Sequence, residues 1–255
     1  MKPLLAAIRF LTIMPVPGTW GTAEEDLARS VPWFPVIGLL LGVAAAGLAW
    51  ALSWAAPPMV TAAMLVIVLS SFSGCLHLDG LADTADGFLS SRPRERILEI
   101  MKDSHIGAMG VIAIACLLLV KFASLASLPA GTLWRAALLM PLAGRCAIVV
   151  HMALLPYARP TGLGAVFYRR PGVPDARPRW AAVWAVGVLA VVEFAILGAR
   201  GLVVWAVCMA ATAVLSVYTY RKIGGATGDT FGAVCEIMEA VPALILALGP
   251  QGGGR

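Results

Sequence analysis

The chain has 255 residues, 60% of them hydrophobic and 13% charged, with a mean hydropathy of +0.87. Soluble domains typically carry about 25% charged residues, so this composition excludes a water-soluble globular fold and predicts a bilayer as partner. The net charge of +5 does not mark nucleic-acid binding, because the basic residues flank apolar runs instead of forming a block interleaved with aromatics.

A spanning helix needs roughly 20 mostly apolar residues, and such runs recur along nearly the whole length. Residues 1–255 therefore read as one domain, an all-α, polytopic membrane helix bundle. Residues 1–20 are expected to form a retained interfacial segment, since Arg9 interrupts the apolar run and Pro15 and Pro17 break it before any small-residue cleavage site. Spans are predicted at 33–55, 58–78, 106–126, 134–155, 180–199, 201–220 and 230–249, about seven within a range of six to eight. Pro57 and Pro58 separate the first two, Pro129 and Gly131 mark the turn after the third, and Gly198 to Gly201 part the fifth from the sixth. The fifth and seventh are the weakest, carrying Glu193 and the pair Glu236 and Glu239. The five cysteines, Cys75, Cys116, Cys146, Cys208 and Cys235, lack CxxC spacing and read as reduced packing residues.

If the N-terminus and the two long connections, 87–105 and 156–179, share a side, the seven spans place residues 221–229 there as well, and that side holds fourteen of the nineteen Lys and Arg residues. The positive-inside rule makes it the cytoplasmic side. Two acidic motifs from distant parts of the chain then meet at one surface.

The first motif, HLDGLADTADGF, spans His77 to Phe88. On a continuous helix at about 100° per residue, Asp83 lies about 40° from Asp79 on one side and Asp86 about 20° on the other. All three carboxylates share a face at the edge of the second span. Like charges four residues apart repel, which calls for a cation, and hard oxygen donors suit Mg²⁺ or Mn²⁺. Gly80 and Gly87 remove bulk, permitting close approach by a helix or a phosphate. His77 points about 160° away from Asp79 on the same helix and reads as a packing histidine unless the helix breaks.

The second motif, RKIGGATGDTFGAVCEIME, covers residues 221–239. Gly224, Gly225 and Gly228 give a turn into a helix with Thr227 or Asp229 as N-cap, and a helix N-terminus is a natural phosphate site. Asp229 and Glu236 share a face left clear by Gly232 and Ala233, and acids inside a membrane helix are functional candidates by default. Between the motifs, Lys102 can pair with a phosphate or with Asp103. Arg145, inside the fourth span, needs a carboxylate, a phosphate or water; a substrate contact or a structural ion pair is expected.

Four stretches, HLDGLADTADGF, MKDSHIGAMG, GRCAIVVHMALLPYARPTGLGAVF and GGATGDTFGAVCEIME, together with the N-terminal RFLTIMPVPG and FPVIGLLLG, resemble the cobalamin (5'-phosphate) synthases, or adenosylcobinamide-GDP ribazoletransferases. The resemblance covers most of the chain. It implies an enzyme of the bacterial inner membrane that joins adenosylcobinamide-GDP to α-ribazole or its 5'-phosphate, releases GMP and requires Mg²⁺. On that footing Asp79, Asp83, Asp86 and Asp229 are the expected metal ligands, and Asp83, Asp229 and Glu236 the expected catalytic acids. Lys102, Arg145 and Arg159, with Gly80, Gly87, Thr227 and Gly228, are the expected substrate contacts. The active site would face the cytoplasm, and assembly as a homo-oligomer is an open expectation. The motifs are also similar, more loosely, to the CDP-alcohol phosphotransferases, but the Ala-Arg pair of that pattern is absent and no residue roles follow. A cation-coupled transporter is the alternative from another class; it predicts acids in mid-span and broken helices.

Overall fold

The computed structural model describes residues 1–168 and 177–249. Arg169 and Arg170, counted above toward the basic face, lie outside the described residues. The chain runs through helices α1 (Lys2–Leu11), α2 (Glu24–Ala28), α3 (Phe34–Ala55), α4 (Pro58–Ser71), α5 (Leu76–Phe88), α6 (Arg94–Ile100), α7 (Ala108–Ala126), α8 (Ala130–Leu154), α9 (Arg179–Leu197), α10 (Ala199–Ile223) and α11 (Gly228–Leu248). Among the described residues no strand occurs, only an isolated parallel bridge between Tyr157 and Ala226.

Six helices, α3 and α7 to α11, are long and apolar enough to span a bilayer, and α4 with α5 makes a seventh if counted as one bent unit. The chain is thus an all-α, multi-pass membrane bundle. Trp33 and Trp54 bracket α3 about 32 Å apart at 1.5 Å per residue, close to the ~30 Å hydrocarbon thickness. The pillar of the bundle is α8, whose apolar stretch is 89% buried against 22% for α7 and for α9. Gly38 and Gly42 let α3 lie directly on the α8 backbone at Pro141 and Leu138, the small-residue packing that membranes favour where no hydrophobic force pulls helices together.

Helix α1 buries Ala6, Ala7 and Leu11 against this core. Arg9 on it donates to the carbonyls of Val16, Gly18 and Trp20, which folds the following loop back over the helix.

One expectation is corrected. The run at 58–78 is not a single span: the chain breaks after Ser71, and α5 leaves α4 at 84°. Gly74 (φ +60°) and Cys75 (φ +63°) are both left-handed, and serines at 70, 71 and 73 offer the backbone competing hydrogen bonds. Alone, α4 reaches only about 21 Å. The aspartates therefore sit on a separate helix, and that helix does run unbroken through Gly80.

Candidate active site

On α5 the three aspartates share a face as expected, but their surroundings differ. Asp79 is exposed, while Asp83 and Asp86 are half-buried. The Asp86 carboxylate accepts backbone N–H groups from Gly107 (2.7 Å) and Gly110 (2.8 Å), so it closes the N-terminus of α7. A Cβ at either glycine would strike that carboxylate. Asp83 feels the charges of Asp229, Asp79 and Asp86, in that order, opposed by Arg159.

The two motifs meet where α5 crosses α11. A Cβ on Gly80 would stand 2.7 Å from the Asp229 carbonyl oxygen, and one on Gly232 would stand 2.8 Å from that of His77. Glycine at both positions is what allows backbone to touch backbone there. The start of α11 is fixed by a capping box in which the Thr227 hydroxyl accepts from the Thr230 amide and the Thr230 hydroxyl accepts from the Thr227 amide. The Thr227 hydroxyl also donates to Asp229 Oδ2 (3.3 Å), and Arg159 Nη2 lies 3.0 Å from the same oxygen. Thr227 is buried, so it orients Asp229 instead of meeting substrate.

Arg159 is carried by the connection after α8. That segment pairs with the turn before α11 through Ala226 N to Pro156 O and Ala158 N to Ala226 O, both 2.8 Å. Arg94 at the start of α6 clamps the two by donating to Ile223 O (2.7 Å) and Ala158 O (3.0 Å). Within this frame the Arg159 guanidinium buries Nε and Nη2 without a well-aligned hydrogen bond. It lines a cavity of about 200 Å³ together with His77, Asp79, Gly80, Gly228 and Asp229 and with the apolar and aromatic residues Phe10, Ile148, Tyr157 and Phe231. Burial pushes the Tyr157 phenol up, so it stays protonated.

Asp83 and Asp86, on the same face of α5 as Asp79, stand outside this lining, and four further expected site residues lie elsewhere. Glu236 and Arg145 belong to a buried ion network: Lys121 Nζ reaches Glu236 (2.6 Å) and Glu239 (2.8 Å), and Arg145 pairs with Glu239. Asp229 and Glu236 do share a face of α11, but one half of that face opens on the cavity and the other turns into the bundle toward α7. Gly87 packs against Met101 and Ile97 of α6. Lys102 is exposed at the end of α6, outside the cavity lining. Sequence reasoning missed Lys121, Arg94, Gly107 and Tyr157. Of these only Lys121 had a strong local signal, a charge inside an apolar run. His77, read as a packing residue, does contact Cys235 (Nδ1 to Sγ 3.7 Å), yet it also borders the cavity. Among the described residues no three His, Cys, Asp or Glu side chains converge closely enough to hold a metal ion by themselves.

Residues 3–247 match the family model described as Cobalamin-5-phosphate synthase. Relatives named adenosylcobinamide-GDP ribazoletransferase align over almost the whole chain. That of Roseiflexus sp. (strain RS-1) is 41% identical over 249 residues, covering 96% of this chain and 89% of the relative. That of Acetivibrio thermocellus is 38% identical over 240 residues (94% and 94%), and that of Pseudomonas putida (strain GB-1) is 39% identical over 253 residues (98% and 100%). No solved structure matches the chain.

Proposed function

We propose, from the premise that this chain belongs to the cobalamin-5-phosphate synthase family, that the cavity at the α5–α11 crossing joins adenosylcobinamide-GDP to α-ribazole or its 5'-phosphate with release of GMP. The chain is a membrane-embedded transferase of cobalamin synthesis. The placement of the site is carried by one observation: the Gly80–Gly232 contact brings two carboxylate-bearing helices together beside the Arg159 guanidinium, which pairs with Asp229 and leaves Nε without a partner.

Release of GMP means that the phosphoanhydride is the bond cut. The phosphorus attacked is then the one that stays on the cobinamide, and the attacking ribose hydroxyl must lose its proton. Such a transfer asks for charge neutralisation and in-line placement, not a covalent nucleophile. Arg159, held by Asp229 through Nη2, offers the diphosphate a guanidinium whose Nε has no protein partner. Both protein contacts to Asp229 fall on Oδ2, and Oδ1 is the atom we assign to the ribose proton.

The residues present fit a hard divalent cation. Asp79, Asp83 and Asp229 are oxygen donors within electrostatic reach of one another, and a site without a complete protein cage suits Mg²⁺, which keeps waters and takes substrate phosphates. When bound there, Mg²⁺ would neutralise the diphosphate and the departing GMP. Asp86, already bonded to two amides, would contribute less. The basic connections beside the cavity support a site on the cytoplasmic face of the bacterial inner membrane.

The test is turnover of adenosylcobinamide-GDP with α-ribazole by the protein in lipid, with and without Mg²⁺. Wild type is expected to need the metal, and Asp83→Asn to lose activity by about 10²-fold or more, the scale of one electrostatic contact to a transition state. Metal-independent turnover, or a folded Asp83→Asn protein of full activity, would overturn the mechanism.

A further inference from the structure

We infer that His151 is a positioning residue for the transfer: from α8 it grips the hydroxyl of Thr230 and so holds the first turn of α11, with the Asp229 carboxylate on it, at the cavity. This rests on the reading of the cavity as the transfer site.

Asp229 stands where a helix holds itself least. The first amides of α11 have no carbonyl one turn back to bond, and the approach carries glycine at 224, 225 and 228, the residue whose backbone loses most freedom on folding. The cap supplies bonds locally. Thr227 N donates to Thr230 Oγ1 (2.9 Å), Thr230 N to Thr227 Oγ1 (3.3 Å), and Thr227 Oγ1 to Asp229 Oδ2 (3.3 Å). These bonds set the shape of the turn, and the pairing of Ala226 with Pro156 and Ala158 holds the chain just before it.

His151 holds the turn itself. Its Nε2 lies 3.3 Å from Thr230 Oγ1 and its ring meets Phe231 edge-on at 6.2 Å, so it touches the two residues that follow Asp229. On the other side Nδ1 lies 2.8 Å from Ser216 Oγ of α10. One imidazole thus ties α8, α10 and the cap of α11 together, and it is fully buried, as are Ser216 and Thr230.

Counting hydrogens shows how the ring works. Ser216 sends its hydroxyl hydrogen to the Thr212 carbonyl (2.7 Å), so a lone pair of Oγ faces Nδ1 and takes the ring's N–H. A neutral imidazole has one N–H, which leaves Nε2 to accept from the Thr230 hydroxyl. That hydroxyl also lies 3.0 Å from the Thr227 carbonyl. The carbonyl already accepts the Phe231 amide (3.2 Å), so turning the hydroxyl hydrogen onto Nε2 leaves no buried group unpaired. An apolar ring would fill the same space, but only a hydrogen-bonding one directs the cap.

The experiment measures kcat, KM for each substrate and the unfolding temperature, with the full chain in lipid and saturating Mg²⁺. The side-chain amide of Gln reaches the place of Nε2, and that of Asn the place of Nδ1. His151→Gln keeps the Thr230 contact and is expected to hold kcat within about three-fold of wild type. His151→Asn keeps only the Ser216 side. Its kcat is expected to fall about ten-fold or more with both KM values within about two-fold, because a misplaced Asp229 slows the chemical step and not binding. Its unfolding temperature should match that of His151→Gln. Thr230→Val, which keeps the shape and removes the hydroxyl, should show the same fall, and adding His151→Asn to it should cost little more, since both act through one contact. Equal kcat losses in the Gln and Asn variants, a rise in either KM, or additive losses in the double variant overturn the inference. So does unchanged kcat in His151→Asn, or failure of that variant to fold as stably as His151→Gln, which would leave the ring a packing role only. Absence of wild-type turnover would instead sink the reading of the cavity on which the inference rests.

Discussion

Asp86 and Asp83 sit within one turn of each other on α5, yet only one of them is bound into the fold. Asp86 receives the amides of Gly107 and Gly110 on its two oxygens. In Asp86→Asn an amide NH₂ replaces one acceptor and faces a donor. A loss of about 1–2 kcal/mol, on the scale of a missing helix cap, should appear as a lower unfolding temperature in lipid, whereas Asp83→Asn should lose turnover and keep its unfolding temperature. The buried quartet of Lys121, Arg145, Glu236 and Glu239 makes a stronger demand. Lys121→Met leaves Glu236 and Glu239 with Arg145 alone, and breaking a buried pair typically costs about 3–5 kcal/mol. Thermal unfolding should show that loss, and Lys121→Met combined with Glu236→Leu should recover much of it. At this scale the sequence was half legible. Asp79, Asp83 and Asp229 stand out as candidate reactive groups from their types and spacing, and Arg159 only through the family resemblance. Glu236 and Arg145 look equally reactive, and nothing local reveals that they are neutralised by Lys121 and Glu239, partners as far as 115 positions away.

Among the elements, the apolar runs mark the helices well because burial in lipid demands uninterrupted backbone pairing. The break at 72–75 escapes that logic. Hydropathy averaged over a span passes smoothly through Ser70, Ser71, Ser73 and Gly74, although their side-chain chemistry favours a turn. The angle it creates lets α5 lie across α11 and meet it at glycine. Gly232→Leu tests this directly. Its side chain would start 2.8 Å from a carbonyl that cannot yield, so α5 and α11 must separate. Near-complete loss of transfer is expected while the protein still inserts into membranes and extracts as a monodisperse species; retained activity would show that the crossing does not position the site.

For the molecule as a whole, the bundle was legible and its interior was not. Two features foreseen for a transporter, a broken helix and acids in mid-span, are present, but the acids are matched by Lys121 and Arg145 and the break lays α5 across α11 beside the cavity that Asp79 and Asp229 line. The orientation proposed from the basic connections is open to test through a native thiol. Cys75, exposed at the turn into α5, should react with a membrane-impermeant maleimide in inside-out vesicles and be protected in right-side-out ones. The opposite pattern would invert the topology. The ion network also has a consequence in time. Chains emerge N-terminus first, so α7 and α8 enter the bilayer with Lys121 and Arg145 bare, long before α11 arrives with Glu236 and Glu239. Until then each cation must snorkel, hold water or remain in the insertion machinery. A nascent chain halted short of α11 therefore carries two unmatched charges, Lys121 and Arg145, where the finished protein has a closed ion network.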